Sequence, residues 1–566
     1  MKTNRTHIAF ILAATLLLGA CSESYLDVNP AGSTIIESQT KDINNFLRGS
    51  MLGIYSMMYT VSDHDAFGQR SIDIYTDLLC GDMALTARNY GWFFYDEQQE
   101  TRSARSGYIW LLYYRMMYNI NSVVKAAKEE AAMDSIAVYG LPNDGLCVVN
   151  ADGDTIHTYT DEEATVANYY AEALTMRGYV YSKLEQLYCP IMRHIYGCQY
   201  NITNYPAFPL YDETNYEEVQ PMAYLNDVFN RIETDLQTAI AYFDAFGDSY
   251  ERENKLETDI NVARGILAYS YLNKAYLSSQ YDESMPLVVE PMTNALQYAE
   301  DVINSGKYEI IPNKDLTETG FNNVDDKSWM WGQNVSRETT GGLASFFGQV
   351  DIHSYSYAWA GDTKVIDKNL YDVIPDWDGR SKWFNDGSKS SSFKLCPDGK
   401  FFSAASPKST SADDIDREWL SDNVFMRIES IYLIAAEAAY FLNDMTKAVD
   451  YLDAILSERL NSDNESAATD YAAFKATLTD RSVFALELYR NWRLEMWGEG
   501  YGLQTFRRLG YLYHDPNHPN ETGVVYRGSN HLYNGGKAID YNDDTDETIY
   551  TMMIPSSEYN YNPYLQ

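Results

Sequence analysis

Apolar side chains at Phe425, Ile428, Tyr432, Ala435, Ala439 and Leu442 recur every three or four residues, which places them on one face of a helix. After Asn443 and Asp444 the pattern restarts at Ala448, Leu452, Ile455 and Leu456, with Lys447 and Asp450 on the outer side. Two helices joined by so short a turn lie antiparallel, and Ala435, Ala436, Ala438 and Ala439 let their backbones approach. Residues 425–460 therefore predict a helical hairpin of roughly the 34-residue size of a tetratricopeptide repeat. Such a hairpin leaves an apolar face uncovered, so stacked partners are expected. Residues 261–305 read as another pair, with Ala263, Gly265, Ala268 and Ala275 at the contact, and residues 165–187 and 225–243 as two more helices. The expected fold is all-α, with about four tetratricopeptide-like hairpins.

Elsewhere a helical pattern opens at Ile43 and runs through Phe46, Leu47 and Ile54, and a strong helix is expected over residues 108–132. Residues 72–95, with Gly81, Gly91 and the run Trp92-Phe93-Phe94-Tyr95, read as a loop, and residues 137–161 as a surface insertion. From about 320 to 420 helical periodicity disappears, and Gly, Ser and Asp alternate with Trp329, Trp331, Tyr355, Tyr357, Trp359, Trp377 and Trp383. So long a stretch is not expected to be bare loop; it reads as an irregular, loop-rich subdomain carried on the helices, where binding residues usually sit. The tail beyond Gly510 is also irregular.

The N-terminus changes the picture of location. Lys2 and Arg5 precede an apolar run over residues 8–18 that is too short to span a bilayer, followed by Leu18-Gly19-Ala20-Cys21. This resembles a bacterial lipoprotein box, which implies a signal peptide over residues 1–20, cleavage before Cys21 and lipidation of Cys21. Residues 22–41 then read as a tether. No later stretch is apolar enough to cross a membrane, so attachment through the lipid anchor alone is expected. Of the five remaining cysteines, Cys189 and Cys198 could close a loop disulfide; with His194 they could also be metal ligands, although a structural zinc site wants four ligands at tight spacing.

Charge excludes one class of partner. With 43 Lys and Arg against 81 Asp and Glu the formal charge is −38, and without a basic stripe nucleic acid is not expected to bind. The motifs H-E-x-x-H, G-x-S-x-G, a phosphate loop with G-K-[ST] and C-x-x-C do not occur, and no cofactor is expected. Asp152-Gly153-Asp154 and Asp543-Asp544-Thr545-Asp546-Glu547 lack the full calcium-loop pattern and read as solvated turns.

Several stretches, in order, resemble the SusD/RagB family of Bacteroidetes surface lipoproteins. They are the lipobox with Tyr25-Leu26-Asp27-Val28-Asn29-Pro30, residues 110–121, YAEALTMRGYVYSKLEQLY, the 261–305 pair, residues 427–460, and Arg490-Asn491-Trp492-Arg493-Leu494-Glu495-Met496-Trp497-Gly498-Glu499-Gly500 before Phe506-Arg507-Arg508. Ile554-Pro555 and Asn562-Pro563 close the series. One departure is Tyr489, where the family commonly has glutamate, with Met496 and Trp497 altering the middle of the motif. Glu495 and Glu499 are expected to pair structurally with Arg490, Arg493, Arg507 and Arg508, and not to act as catalytic carboxylates. The resemblance implies an N-terminal region over 21–235 and a C-terminal region over 236–566. It also implies a non-enzymatic role at the cell outer membrane: holding an oligosaccharide and passing it to a SusC-type TonB-dependent transporter.

Sugar recognition needs flat rings for pyranose faces and polar groups for hydroxyls. The chain has 49 Tyr and 10 Trp against 21 Phe, although tyrosines inside helices, such as Tyr269, Tyr276 and Tyr432, are expected to pack. The candidate ligand-binding residues are the loop aromatics Trp92, Tyr90, Trp329, Trp331, Tyr357 and Trp359, with Asp82, Arg88 and Asn89 as polar partners. Trp92 lies near a position where starch-binding relatives place a stacking tryptophan. Two alternatives stay open: a peptide ligand, as in some members of the family, and a surface glycoside hydrolase, which would need two carboxylates at a fixed separation.

Overall fold

The computed structural model describes residues 43–87, 89–93, 104–189, 202–247, 252, 254–278, 289–318, 320–353, 355–388, 390–402, 420–510, 524–532, 538–540 and 551–565. The first elements are α1 (Ile43–Met57), α2 (Gln69–Cys80), β1 (Met83–Leu85), α3 (Ala104–Lys128) and α4 (Ala131–Tyr139). After the hairpin β2 (Cys147–Val149) and β3 (Thr155–Thr158) comes α5 (Asp161–Tyr188), then β4 (Pro206–Pro209), β5 (Met222–Tyr224), α6 (Leu225–Phe246), α7 (Ile260–Ser278) and α8 (Val289–Asn304).

The irregular region carries β6 (Trp329–Gln333), α9 (Phe346–Val350), β7 (Lys364–Ile366) and α10 (Lys368–Asp372). It returns to the helices through β8 (Asn423–Arg427), α11 (Ile428–Phe441), α12 (Met445–Leu456), α13 (Ala467–Thr477), α14 (Arg481–Glu495) and α15 (Gly502–Leu509). The described tail holds β9 (Val524–Tyr526), β10 (Ala538–Asp540) and α16 (Ser556–Tyr561).

The long helices form a continuous series: α1 packs on α3, α3 on α5, α5 on α6, α6 on α7, α7 on α8, α8 on α11 and α11 on α12. This is the tetratricopeptide-like stack that the periodicity predicts, in four successive pairs. Its central pillar is α5, opened by a capping box in which Thr160 and Glu163 satisfy each other's backbone N–H groups. From Ala164 onward nearly every side chain of α5 is buried, because neighbours cover it on several sides. Gly178 permits the closest approach: a Cβ there would come within 2.6 Å of Leu236 on α6. The α11–α12 turn is closed by Asn443 at φ 65°, a left-handed value that Asn tolerates, and Asp444 then caps α12 by accepting from Lys447 N at 3.1 Å.

Two expectations need correction. Phe425 is not helical; it lies in β8, which pairs antiparallel with β6, so α11 starts only at Ile428. Residues 72–95 are not all loop, since α2 occupies Gln69–Cys80 and every one of its side chains is buried. Its Gln69, Arg70, Asp73 and Asp77 are inside as well as its apolar residues, which erases the contrast that periodicity depends on. Of the expected 137–161 insertion, residues 137–139 end α4 and Asp161 opens α5; between them lies the largely exposed β2–β3 hairpin. In its turn Asn150 Oδ1 accepts from the backbone N–H groups of Asp152 and Asp154. Across 320–420 no described helix exceeds five residues, as the missing periodicity implies.

Candidate functional site

Strand β1 pairs antiparallel with β7, Met83 opposite Ile366 and Leu85 opposite Lys364. Their continuations, residues 86–87, 89–93 and 355–363, are thereby brought side by side although nearly 280 positions separate them in the chain, and a Thr86–Thr363 hydroxyl contact extends the clamp. Asn89 Nδ2 donates to Ala360 O at 3.3 Å. That contact requires Gly361, which sits at φ 97° and where a Cβ would lie 2.6 Å from the Asn89 amide nitrogen.

On this clamp the aromatic residues converge. The Trp92 ring stacks on His64 with centroids 5.3 Å apart and planes 23° apart. Tyr357 stands edge-on to His64, Tyr90 and Trp92 at 5.5, 5.1 and 6.2 Å. The Tyr357 hydroxyl and His64 Nδ1 share a hydrogen bond of 2.7 Å. Partial burial raises the Tyr357 pKa. Tyr90 is 50% exposed, and the neighbouring Tyr355 and Trp359, 62% and 50% exposed, meet at 5.6 Å. Rings held by one another and still open to solvent can receive the apolar face of a ligand with little ordering cost.

The platform rests on rigid ground. Behind Trp92, Phe93 adopts φ 61°, rare for a bulky residue, and is held there fully buried against Phe67 and Tyr75. Lys364 is also fully buried; its ammonium donates to Gln349 Oε1 at 2.8 Å and to Asp362 Oδ2 at 2.9 Å. Desolvation lowers the Lys364 pKa and the Asp362 carboxylate opposes that shift. Gln349 Nε2 in turn donates to His64 O at 2.7 Å, tying the His64 turn to α9.

Of the sequence candidates, the structure brings together Asn89, Tyr90, Trp92, Tyr357 and Trp359. Trp329 and Trp331 are corrected: both rings are fully buried, with indole N–H groups donating to Gly320 O and Leu256 O at 2.7 Å. The β6–β8 pairing folds that segment inward, so neither ring can meet a ligand. Asp82 is likewise internal, bound to Arg493 Nε at 2.6 Å. Arg88, Cys21, Cys198, His194 and the 543–547 acidic run lie outside the described residues. His64 was not among the candidates; nothing in its local sequence separates it from an ordinary turn. Among the described residues no three His, Cys, Asp or Glu side chains are grouped to hold a metal ion.

Glu495 and Glu499 take different partners from the helical neighbours expected for them. Glu495 accepts from Arg427 and Arg459 at 2.8 Å and Arg380 at 3.2 Å, and Glu499 from Arg427 at 2.9 Å and Lys400 at 2.8 Å. Burial opposes ionisation, but the surrounding cations win and hold the Glu495 carboxyl well below its usual range. Desolvation pushes Lys400 down to about 8. Glu429 and Asp378 bring the acids to four against Arg380, Arg427, Arg459 and Lys400, a neutral buried cluster. Of the arginines first expected to pair with the two glutamates, Arg508 binds Glu437 and Arg490 binds Glu487.

No curated protein matches the chain. Solved structures do. A SusD-like carbohydrate binding protein from Bacteroides vulgatus ATCC 8482 superposes with a TM-score of 0.63 at 20% identity, over 92% of this chain and 97% of that one. A SusD superfamily protein from the same organism gives 0.64 at 16% identity over 92% and 98%. Another from Bacteroides thetaiotaomicron VPI-5482 gives 0.62 at 16% identity over 92% and 99%. At these identities the likeness establishes the fold. The family model described as the SusD family matches residues 267–566, more than half of the sequence, and the chain accordingly belongs to the SusD family.

Proposed function

We propose that this protein is a cell-surface lipoprotein, anchored through Cys21, that captures an oligosaccharide without chemical change and passes it to a SusC-type TonB-dependent outer-membrane transporter. The observation that carries the binding step is the joined set His64, Tyr90, Trp92 and Tyr357, with Tyr355 and Trp359 beside it: clustered rings, partly exposed, on a braced clamp. Asn89, and Arg88 next to it in sequence, are the polar partners assigned to sugar hydroxyls. Membership of the SusD family supports the transport role and the surface location, and a structural relative bears the description carbohydrate binding. No described helix is long and apolar enough to cross a membrane.

Native electrophoresis through gels containing single polysaccharides tests the reading. Wild-type protein is expected to be slowed by at least one neutral glycan, with no shortened products on incubation. Retention on a peptide column and by no glycan would replace sugar with peptide, and release of shortened saccharide would replace binder with hydrolase.

A further inference from the structure

A second feature lies across the same supports. Tyr59, Phe67 and Arg70 from the turn and start of α2, Phe346 and Phe347 of α9, and Gln333 and Asn423 of the β6–β8 ladder line a cavity of about 20 Å³. Thr339, Thr340, Ala344 and Ser345 also line it. The space suits one hydroxyl-sized group. Three buried polar atoms on its lining residues have no hydrogen-bond partner among the described residues: Arg70 Nε, Gln333 Nε2 and Asn423 Oδ1. Arg70 and Gln333 are only 2% and 1% exposed, so bulk water does not satisfy them. Leaving such groups unpaired carries the full desolvation penalty of each, which makes the set a demand for a polar guest.

The chemistry of the guest follows from the set. Asn423 Nδ2 donates to Gln333 Oε1 at 2.9 Å, so the two amides use one donor and one acceptor on each other. Turning both amides over exchanges which residue offers which, and still leaves one donor and one acceptor facing outward. Arg70 adds a donor, but its positive charge is already matched by Asp73 at 2.6 Å, and its guanidinium lies 4.0 Å from the Phe346 ring centroid. A carboxylate would meet the free acceptor with a lone pair, and an ammonium would meet two donors. A hydroxyl both donates and accepts, and meets all three.

We infer that this cavity is a subsite for a neutral sugar, taking one hydroxyl or hydroxymethyl arm while the ring stays at the mouth by Tyr59, Thr339 and Thr340. It rests on the sugar-binding reading above and adds to it a second contact, sharing α9 and the 59–67 turn with the aromatic platform. Saturation-transfer NMR with glucose, galactose, mannose and N-acetylglucosamine, and with glucuronic acid as the charged comparison, tests it. At least one neutral monosaccharide should receive saturation from wild-type protein and from Trp92→Ala. The signal should fall roughly fivefold or more in Ala344→Leu, which fills the cavity from its rim, and in Arg70→Lys, which keeps a cation for Asp73 but removes the Nε donor. Circular dichroism checks that each variant is folded, and if Ala344→Leu is not, Arg70→Lys decides. No transfer from any neutral sugar overturns the subsite and leaves the cavity to a bound water. A signal lost in Trp92→Ala but kept in both cavity variants overturns it while the platform reading stands. Glucuronic acid outperforming all four neutral sugars also overturns it. Failure of the platform reading would appear separately, as wild-type protein unretarded in every polysaccharide gel.

Discussion

Trp331 lies on β6 with its ring edge-on to Tyr179 and Phe425, its N–H committed to Leu256 O and no surface exposed. Trp92 is only half-buried, stacked on His64 and bordered by Tyr357. The two indoles are chemically the same, and both sit in segments without helical period. What separates them is whether the backbone next to each is paired on the interior or continues past a pair. Trp331 belongs to a strand whose partner, β8, feeds directly into α11, so its ring is drawn into the core. Trp92 follows β1 by several residues, where the chain has left its β7 partner and turned outward. Burial therefore makes one ring a load of packing free energy and the other a platform.

The contrast predicts different consequences for damage on the two sides. The largest loss should come from the buried charge cluster. Glu495→Gln leaves Arg380, Arg427 and Arg459 short of a counter-charge in a buried site, and should cost about 3–5 kcal/mol in denaturant unfolding. Because its cations depress the folded pKa of Glu495, its stabilisation is present above the unfolded value. It is lost as pH falls below about 4.5 toward the folded pKa, so the wild type should lose stability on acidification more steeply than the variant. Next, Trp331→Ala should cost about 3–5 kcal/mol by opening a cavity, while any molecules that remain folded keep their ligand retention.

A smaller effect is expected at Glu185 on α5, whose burial lifts its pKa to about 8. For an acid shifted upward, the folded state binds the extra proton, so stability is fullest below the unfolded value near 4.5 and declines as pH rises to 8. Glu185→Gln should therefore raise the melting temperature at pH 9 relative to wild type, by about 1–2 kcal/mol of stability, and change little at pH 5. An equal change at both pH values would mean that the carboxyl is not the group responsible.

Helix α12 was legible because it keeps one polar face, so Ala448, Leu452 and Ile455 stand out against Lys447 and Asp450. Helix α2 was not legible, since its Asp73 and Asp77 are buried alongside Ile72 and Leu78. The candidate site was legible only in part. Loop position and ring type marked Trp92, Tyr90 and Tyr357, but the same two signals marked Trp329 and Trp331, because an isolated strand of five residues carries too little period to announce its burial. His64 meets Trp92 by ring stacking, and Lys364 and Asp362, which brace the platform, are brought to it by the β1–β7 ladder from far along the chain. No local pattern encodes that pairing. Nor did the spacing of Glu495 and Glu499 reveal partners at Arg427 and Arg459, brought in from other elements.

Retention of Trp92→Ala and Trp331→Ala in the same polysaccharide gel, scaled to the folded fraction of each, tests the division most directly. The expected result is loss of retardation for Trp92→Ala at near wild-type stability, within about 1 kcal/mol, and preserved retardation for folded Trp331→Ala. Undiminished retardation of Trp92→Ala, with loss confined to folded Trp331→Ala, would contradict the assignment of the exposed platform as the binding surface.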